Sequence, residues 1–395
     1  MKLLVVGNAH IYKTKEGKYY SAAIYDNSFF KRYLNVFDSV RFCAKVKLVD
    51  EVDLKKHKPL DIEGLEIWEI PWYKGMKGLL KKFPQVIKSM KKSYESVDVS
   101  LYRVIQVESI LSYICRNKKI KYAVEVVNDP QTYFKGLYKI ISNHYMKKMV
   151  YRANGASYIT DYVLQKIYPN KSHKEKESTK YFNATYQTLD LKESIMKEPK
   201  IYDKNSVSEF RLIHVANNIE SDNKGHSTVI KTVKYLNDMG YNVSCNFVGD
   251  GSKVEFFKKM ARKLKIDDKI NFVGRINWKN ELIDYMNSHS LFIFPTRFEG
   301  LGRVNLEAMA AGLPCLASSV GGVVELFEKK YLFAPKDYRG FGDEIVRLIN
   351  NFAELSQMSK RNIEFVKKFL NENQEPIRTN FYRKLRKLVE ETDQL

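Results

Sequence analysis

Short apolar runs rich in β-branched residues alternate along this chain with longer stretches in which apolar positions recur at helical spacing. In the first half the runs predict strands at Lys2–Val6, Val40–Leu48, Leu65–Ile70, Val97–Val104, Tyr122–Val127 and Ala156–Ile159. In the second half they predict strands at Arg211–Ala216, Val243–Val248, Ile270–Val273, Leu291–Phe294, Pro314–Ala317 and Tyr331–Phe333. Helices are expected between them, among them Ser227–Asn237, Lys253–Leu264, Asn280–Asn287 and Val304–Ala311. Strand and helix in turn argue for parallel sheets wrapped by helices, an α/β architecture. A polar stretch rich in Lys and Glu, from about Asp190 to Val207, has no clear periodicity and reads as a linker. The expected organisation is therefore two doubly wound domains, 1–200 and 201–375, facing each other across a cleft with ligands at the carboxyl ends of their strands. The tail, about 376–395, contains Phe381-Tyr-Arg-Lys-Leu-Arg-Lys-Leu388 and is expected to form a basic amphipathic helix that packs back on the first domain.

Length agrees with this division, because 395 residues exceed one ordinary core. Charge adds something new. The formal net charge is +21, and residues 1–200 carry +16 of it. A field of that sign attracts polyanions: nucleic acid, anionic lipid headgroups or a phosphate-bearing substrate. Cys43, Cys115, Cys245 and Cys315 form no C-x-x-C pair and read as buried thiols in a reducing compartment. Met1–Gly7 reads as a first strand rather than a signal peptide, and no apolar run has bilayer length, so a cytoplasmic protein is expected.

The densest chemistry lies in Phe294-Pro-Thr-Arg-Phe-Glu-Gly-Leu-Gly-Arg-Val-Asn-Leu-Glu-Ala-Met-Ala-Ala-Gly-Leu-Pro314. A buried strand runs into a turn bearing Gly300 and Gly302, then into a helix starting near Val304. Glycines let the backbone approach a ligand, and the free N–H groups of a helix start suit a diphosphate. Glu299 and Glu307 could bracket a ligand, one at a sugar and one at a ribose. Taken alone, they fit better as solvated glutamates on an ordinary strand–turn–helix.

The whole segment closely resembles the E-x7-E signature of retaining glycosyltransferases of the GT-B fold, glycosyltransferase family four. Both glutamates and every glycine stand in register, while Leu301 replaces the usual Phe and Thr296-Arg297 the usual small polar pair. Phe247-Val-Gly-Asp-Gly251 resembles the family's V-G-x-G turn near the nucleotide, which brings in Gly249 and Asp250. Phe272-Val-Gly-Arg275 resembles the F-x-G strand end whose backbone meets the base, and Lys224-Gly225 the K-G whose lysine neutralises the departing diphosphate. One departure matters: the family's arginine six positions before that lysine is Asn218 here, an amide without charge. Arg303 is a weak candidate to take over its role.

In the first half, Val124-Glu-Val-Val-Asn-Asp-Pro130, Gly17-Lys-Tyr19 and Tyr158-Ile-Thr160 resemble a subgroup of capsule and cell-surface polysaccharide enzymes. Asn128 or Asp129 falls where many members carry a histidine, and with Gly17 and Lys18 they are the expected acceptor contacts. An Asn-Asp-Pro turn that merely closes a strand is the alternative. His10, His144 and His214 have no partner that can be named and read as structural. The stretch Trp72–Lys92 holds seven lysines and no acid, and Tyr133–Arg152 is a second basic patch. Each reads either as a solvated helix face or as a contact with anionic membrane. No nucleic-acid recognition module is apparent.

The resemblance implies two Rossmann-like domains, 1–200 for the acceptor and 201–375 for the donor. It implies transfer of a sugar, most readily a hexose, from a nucleoside diphosphate sugar (a UDP-sugar favoured) to a glycan or lipid-linked acceptor, with retention. No cofactor or bound metal is implied. Lys224 would stabilise the leaving group, Glu299 hold the donor sugar and Glu307 the ribose, with Asn218, Gly249, Asp250, Arg275, Gly300, Gly302, Arg303 and Val304 around the donor. Bacterial surface polysaccharide synthesis, at the inner face of the membrane, is the expected setting. A sugar-nucleotide epimerase of the same fold and a catalytically degenerate polyanion-binding protein remain as alternatives.

Overall fold

A computed structural model describes residues 1–21, 25–54, 57–103, 106–132, 134–173, 180–203, 209–276 and 278–393. The ends at Val104 of one expected strand, Tyr133 of the second basic patch and Val207 of the expected linker lie outside them. The chain divides into two compact units, Met1–Tyr186 with Glu375–Leu395, and Gln187–Gln374.

The first unit contains strands β1 (Lys2–Lys13), β2 (Tyr19–Ser21), β3 (Ser39–Leu48), β4 (Lys58–Pro59), β5 (Leu65–Pro71), β6 (Val99–Arg103), β7 (Lys121–Val126), β8 (Gly155–Tyr158) and β9 (Phe182–Thr185). Seven of them run parallel in the order β5-β3-β1-β6-β7-β8-β9. The short β2 and β4 extend the far end of β1 as an antiparallel flap. The order reverses between β1 and β6. β6 is buried along its whole length and β7 from Tyr122 onward, because both faces of a parallel sheet are covered.

The second unit contains β10 (Phe210–Asn218), β11 (Val243–Asp250), β12 (Ile270–Gly274), β13 (Leu291–Phe294), β14 (Cys315–Ser318) and β15 (Leu332–Phe333). All pair in parallel in the order β12-β11-β10-β13-β14-β15. This is the doubly wound nucleotide-binding order, with its switch point between β10 and β13. Helix His226–Asp238 seals one face, its Val229, Ile230, Val233 and Leu236 packing with Leu212, Phe247 and Leu291. His214 is fully buried in β10, where its ring meets the Ile293 carbonyl at 2.9 Å and burial pulls its pKa down to about 4.

One feature differs from the sequence expectation. The stretch after Asp190 is built onto the second unit. Lys200 donates from Nζ to the Asn287 and His289 carbonyls at 2.7 and 2.5 Å, and its backbone N–H meets Ser359 Oγ at 2.7 Å. Burial lowers the Lys200 pKa to about 8, with help from Arg211. A polar segment with no period can thus be fixed by reaching backbone carbonyls, and the units part at 186/187 rather than at 200. The last helix, Asn371–Asp393, begins in the second unit and from Glu375 belongs to the first. There Phe381, Tyr382, Leu385 and Val389 enter a core with Tyr33, Phe42 and Leu101. The Tyr382 hydroxyl donates to the buried carboxylate of Glu125 at 2.6 Å, and Tyr186 does so at 2.9 Å.

Candidate functional site

At the switch point of the second sheet, a cavity of about 500 Å³ opens between the carboxyl ends of β10 and β13. Its first wall is the end of β10, Val215 to Asn218. Its second is the loop after β13 and the helix Arg303–Ala310, contributing Glu299, Gly302, Arg303, Val304 and Glu307. Gly302 caps this helix with a φ of +78°, and a Cβ there would meet Asn305 Nδ2 at 2.5 Å and Glu299 Cγ at 3.1 Å. The glycine therefore lets the chain turn tightly enough for the helix start to face the cavity. The first N–H groups of a helix have no partner within it and carry partial positive charge, which suits an anion.

Lys224 enters from the turn Asp222–Lys224 that follows β10. Arg297 ties that turn to the loop. Its guanidinium pairs with the Asp222 carboxylate and donates to the Asp222 carbonyl at 3.2 Å, while its backbone N–H donates to the Asn223 carbonyl at 2.8 Å. The consequence is an ion pair between Lys224 Nζ and Glu299, both half-buried, with the other Glu299 oxygen accepting from the Gly300 N–H at 3.1 Å. Arg297, at first sight a departure in the motif, thus joins the turn that carries Lys224 to the loop that carries Glu299.

Glu307 lies one helical turn inside, with Lys279 Nζ 4.0 Å from its carboxylate. Burial pushes the Glu307 carboxyl above its ordinary value, and Lys279 and Arg303 offset this only in part. Burial likewise lowers the Lys279 ammonium. Nothing in the motif singled out Lys279, which stands at the start of helix Lys279–Asn287 and also reaches the Asp190 carbonyl. The walls thus offer two carboxylates, three cationic side chains, a helix start and two strand-end amides, Asn217 and Asn218.

Asn218 lines the cavity, and its Oδ1 accepts from Arg275 Nη2 at 2.9 Å. Arg275 itself is an exposed residue just after β12. Gly249 and Asp250 are not among the lining residues. A Cβ at Gly249, whose φ is +135°, would lie 1.8 Å from the Ala216 carbonyl oxygen, so close packing of β11 on β10 accounts for this glycine. Asp250 is exposed and closes its own turn by accepting from the Gly251 N–H at 2.8 Å. Gly300 braces the loop by accepting from the Gly322 N–H at 2.7 Å.

The four expected acceptor residues lie in the first unit on two separate segments. Gly17 and Lys18 sit on the exposed β1–β2 turn, with Lys18 paired to Glu16 at 3.0 Å. Asn128 and Asp129 follow β7. Asp129 caps the next turn, accepting from the Gln131 N–H at 2.9 Å, while the buried Asn128 Oδ1 meets no donor among the described residues. Among the described residues no group of three or more His, Cys, Asp or Glu could hold a metal.

A family model described as "Glycosyl transferases group 1" matches residues 197–365, which include every cavity-lining residue except Leu189. Protein CapJ of Staphylococcus aureus is 30% identical over 376 residues, covering 92% of this chain and 89% of that protein. The capsular polysaccharide biosynthesis glycosyltransferase CapM of the same organism is 28% identical over 131 residues, 32% of this chain and 34% of CapM. Among solved structures, Anabaena HepE in complex with UDP and glucose superposes with a TM-score of 0.63 at 13% identity, covering all of both chains. That likeness bears on the fold, two Rossmann-like domains of the GT-B type. With a relative matched along almost its whole length and the signature residues gathered at one switch point, the chain belongs to the group 1 glycosyltransferases.

Proposed function

We propose that this chain transfers a sugar from a nucleoside diphosphate sugar, with UDP as the favoured nucleotide, to a glycan or lipid-linked acceptor with retention of configuration. The observation that carries this reading is the Lys224–Glu299 pair set against the start of helix Arg303–Ala310 at the β10/β13 switch point. As the bond from the anomeric carbon to the diphosphate breaks, negative charge gathers on the phosphate oxygens. Lys224 and the N–H groups at Gly302–Val304 meet that charge without reorganising, which is the electrostatic contribution that matters most in such a step. The new bond forms from the acceptor oxygen to the anomeric carbon, and the acceptor proton leaves on the nucleotide. Glu299 holds hydroxyls of the donor sugar and Glu307 the ribose, and no metal is required. The UDP and glucose in the HepE structure support the donor class.

CapM's name supports a setting in surface polysaccharide synthesis. Work at the inner face of an anionic membrane fits the helix Gly75–Lys92, whose lysines are all exposed beside exposed Met76, Leu80 and Phe83. Leu137 and Ile140 on helix Gly136–Arg152 are exposed as well. Among the described residues no helix is long and apolar enough to cross a membrane.

Thermal-shift and calorimetric titration with UDP, GDP, ADP and their sugars tests the donor, and NMR of the product tests the anomeric outcome. Nucleotide-sugar turnover without any acceptor, giving a changed sugar, would favour an epimerase instead. Absence of all nucleotide binding would overturn the reading.

A further inference from the structure

The first unit has its own switch point, between β1 and β6, and the strand there is irregular. Val6 pairs with Cys43 but His10 pairs with Lys45, so four steps along β1 span two along β3. The bulge begins where β6 stops accompanying β1, at the Val6–Tyr102 pair. Bulges beside switch points re-aim side chains, and open α/β sheets bind ligands at such points.

The bulge turns His10 outward, exposed, with its ring 4.9 Å from Trp72. Tyr12 lies 6.4 Å from Trp72 and 4.7 Å from His57, so four partly open rings adjoin one another. Beneath His10 is an ion pair, Lys45 Nζ to Glu108 Oε1 at 2.7 Å, with side chains only 11% and 5% exposed. The Tyr73 hydroxyl donates to the same carboxylate oxygen at 2.7 Å, and Lys45 Nζ stands 4.8 Å over the Tyr73 ring. Taking such a pair out of water is costly by the general rule, so packing alone explains its burial beside the bulge poorly. Buried, paired charges at this switch point stand where open α/β sheets bind ligands.

The chemistry of the group selects its ligand. Lys45 and Glu108 cancel, while Lys47 Nζ stands 6.0 Å from the centre of the Trp72 ring. Burial lowers the His10 basicity, the Lys45 charge lowers it further, and Glu108 only partly opposes them, so the imidazole is neutral at neutral pH. What remains is an aromatic surface edged by donors and acceptors, with Lys47 and Lys82 among the donors around Trp72. That surface fits a molecule with an apolar face and hydroxyls around its rim.

We propose that Trp72, Tyr12, His10 and the Lys45–Glu108 pair form a binding site for a sugar ring, the acceptor's terminal residue. This rests on the glycosyltransferase reading of the chain. Trp72 and Tyr73 directly precede helix Gly75–Lys92, and Lys82 of that helix donates to the Trp72 carbonyl at 2.8 Å. A sugar held here would sit at the root of the helix that carries the exposed lysines and apolar residues, the arrangement a lipid-linked glycan needs.

The test is saturation-transfer NMR on the full chain saturated with UDP, titrated with methyl glycosides of glucose, galactose, mannose, N-acetylglucosamine and N-acetylgalactosamine. At least one glycoside should bind, and Trp72→Ala and His10→Ala should each weaken it tenfold or more. UDP affinity, measured on every variant, should stay unchanged, which also reports that the variants are folded. The proposal is overturned if the parent binds UDP but no glycoside, if both folded variants bind the glycoside as the parent does, or if inorganic phosphate displaces it. Failure of the parent to bind UDP sinks the donor reading instead, and the glycoside result is then read by itself.

Discussion

Asn218 Oδ1 accepts a hydrogen bond from Arg275 Nη2 at 2.9 Å, so an uncharged cavity wall carries a guanidinium on its outer side. Inside the cavity, Lys224 faces Glu299 and Lys279 faces Glu307, so two cations are already answered by carboxylates. If the cavity takes a diphosphate, as proposed, Arg275 adds positive charge behind Asn218. Arg275→Ala should weaken UDP about ten- to a hundredfold while leaving uridine affinity unchanged, since hydrogen bonds to charged groups contribute about 1.5–3 kcal/mol. Asn218→Arg placed in the Arg275→Ala background should restore most of the loss. Equal weakening of UDP and uridine, read by calorimetry, would mean that Arg275 serves the base or the fold.

Lys224→Ala and Glu299→Gln should each lower turnover strongly with an unchanged circular dichroism spectrum. Removing one preorganised electrostatic contact costs about 100- to 1,000-fold in kcat by the general rule. Lys224→Ala acts on the leaving group, so its loss should be smaller with donors whose nucleotide leaves more readily. Glu299→Gln acts on the sugar and should show no such dependence. Near-normal steady-state rates in both variants would remove these residues from the chemistry.

Glu307 yields a prediction with opposite signs for stability and binding. Burial raises its carboxyl, so the native protein holds that proton more tightly than the unfolded chain does. The ionised form therefore costs stability at pH values above the folded pKa, and the cost disappears as pH falls through it. Glu307→Gln should match or exceed the parent's Tm at pH 7.5, with the gap closing as pH falls through the carboxyl range. Donor affinity should drop in the same variant. A lower Tm at pH 7.5 would contradict the sign.

Much of this site was legible from its own residues. Leu291–Phe294 and the turn after it are local, and a parallel strand buried on both faces declares itself as an unbroken apolar run. Other features were hidden for physical reasons. His10 reads as an isolated histidine because its partners Lys45, Trp72 and Glu108 arrive from β3, the loop after β5 and a helix start. Lys279 reads as one more lysine until the fold brings it to Glu307. Gly249 fits a ligand motif, yet the backbone it makes room for is that of Ala216. Strands β2, β4 and β9, two to four residues long, are too short to display a period.

The end of the chain should be a structural clasp. Glu125 is fully buried; burial would raise its pKa, but the Arg103 charge and the Tyr382 hydroxyl outweigh that and hold it low. A carboxyl with a depressed folded pKa stabilises fully above its unfolded value and ceases to as pH falls through the folded one. Tyr382→Phe should lower the stability of the first unit by about 1.5–3 kcal/mol, the range for a bond to a charged group. Glu125→Gln should cost more, about 3–5 kcal/mol, because Arg103 is left buried without its partner charge. In urea unfolding the Tyr382→Phe deficit should persist at pH 5.5 and shrink only below the ordinary carboxylate range. A deficit already gone at pH 5.5 would place the relevant charge elsewhere.

The lysines of helix Gly75–Lys92 make the membrane reading quantitative. Lys77, Lys81, Lys88 and Lys91 are exposed, no acid lies in the helix, and Met76, Leu80 and Phe83 are 57%, 69% and 41% exposed. Each Lys near an anionic surface contributes about 1 kcal/mol, and the attraction is screened beyond roughly 8 Å at physiological ionic strength. The protein should therefore sediment with vesicles containing phosphatidylglycerol and not with pure phosphatidylcholine, and raising salt should weaken the binding. Serine at those four positions should remove roughly 4 kcal/mol at low salt, a loss of several hundredfold, by the same per-lysine value. Transfer to a short soluble acceptor should be unaffected, since none of the four lines the donor cavity or the proposed sugar site. Part of the parent's binding should survive high salt, because Met76, Leu80 and Phe83 gain from burial in the interface whatever the ionic strength. Serine at Leu80 and Phe83 should abolish that residue of binding while leaving the low-salt attraction largely in place. If the four-lysine variant sediments as the parent does, the helix is a solvated face and the acceptor reaches the enzyme without the membrane's help.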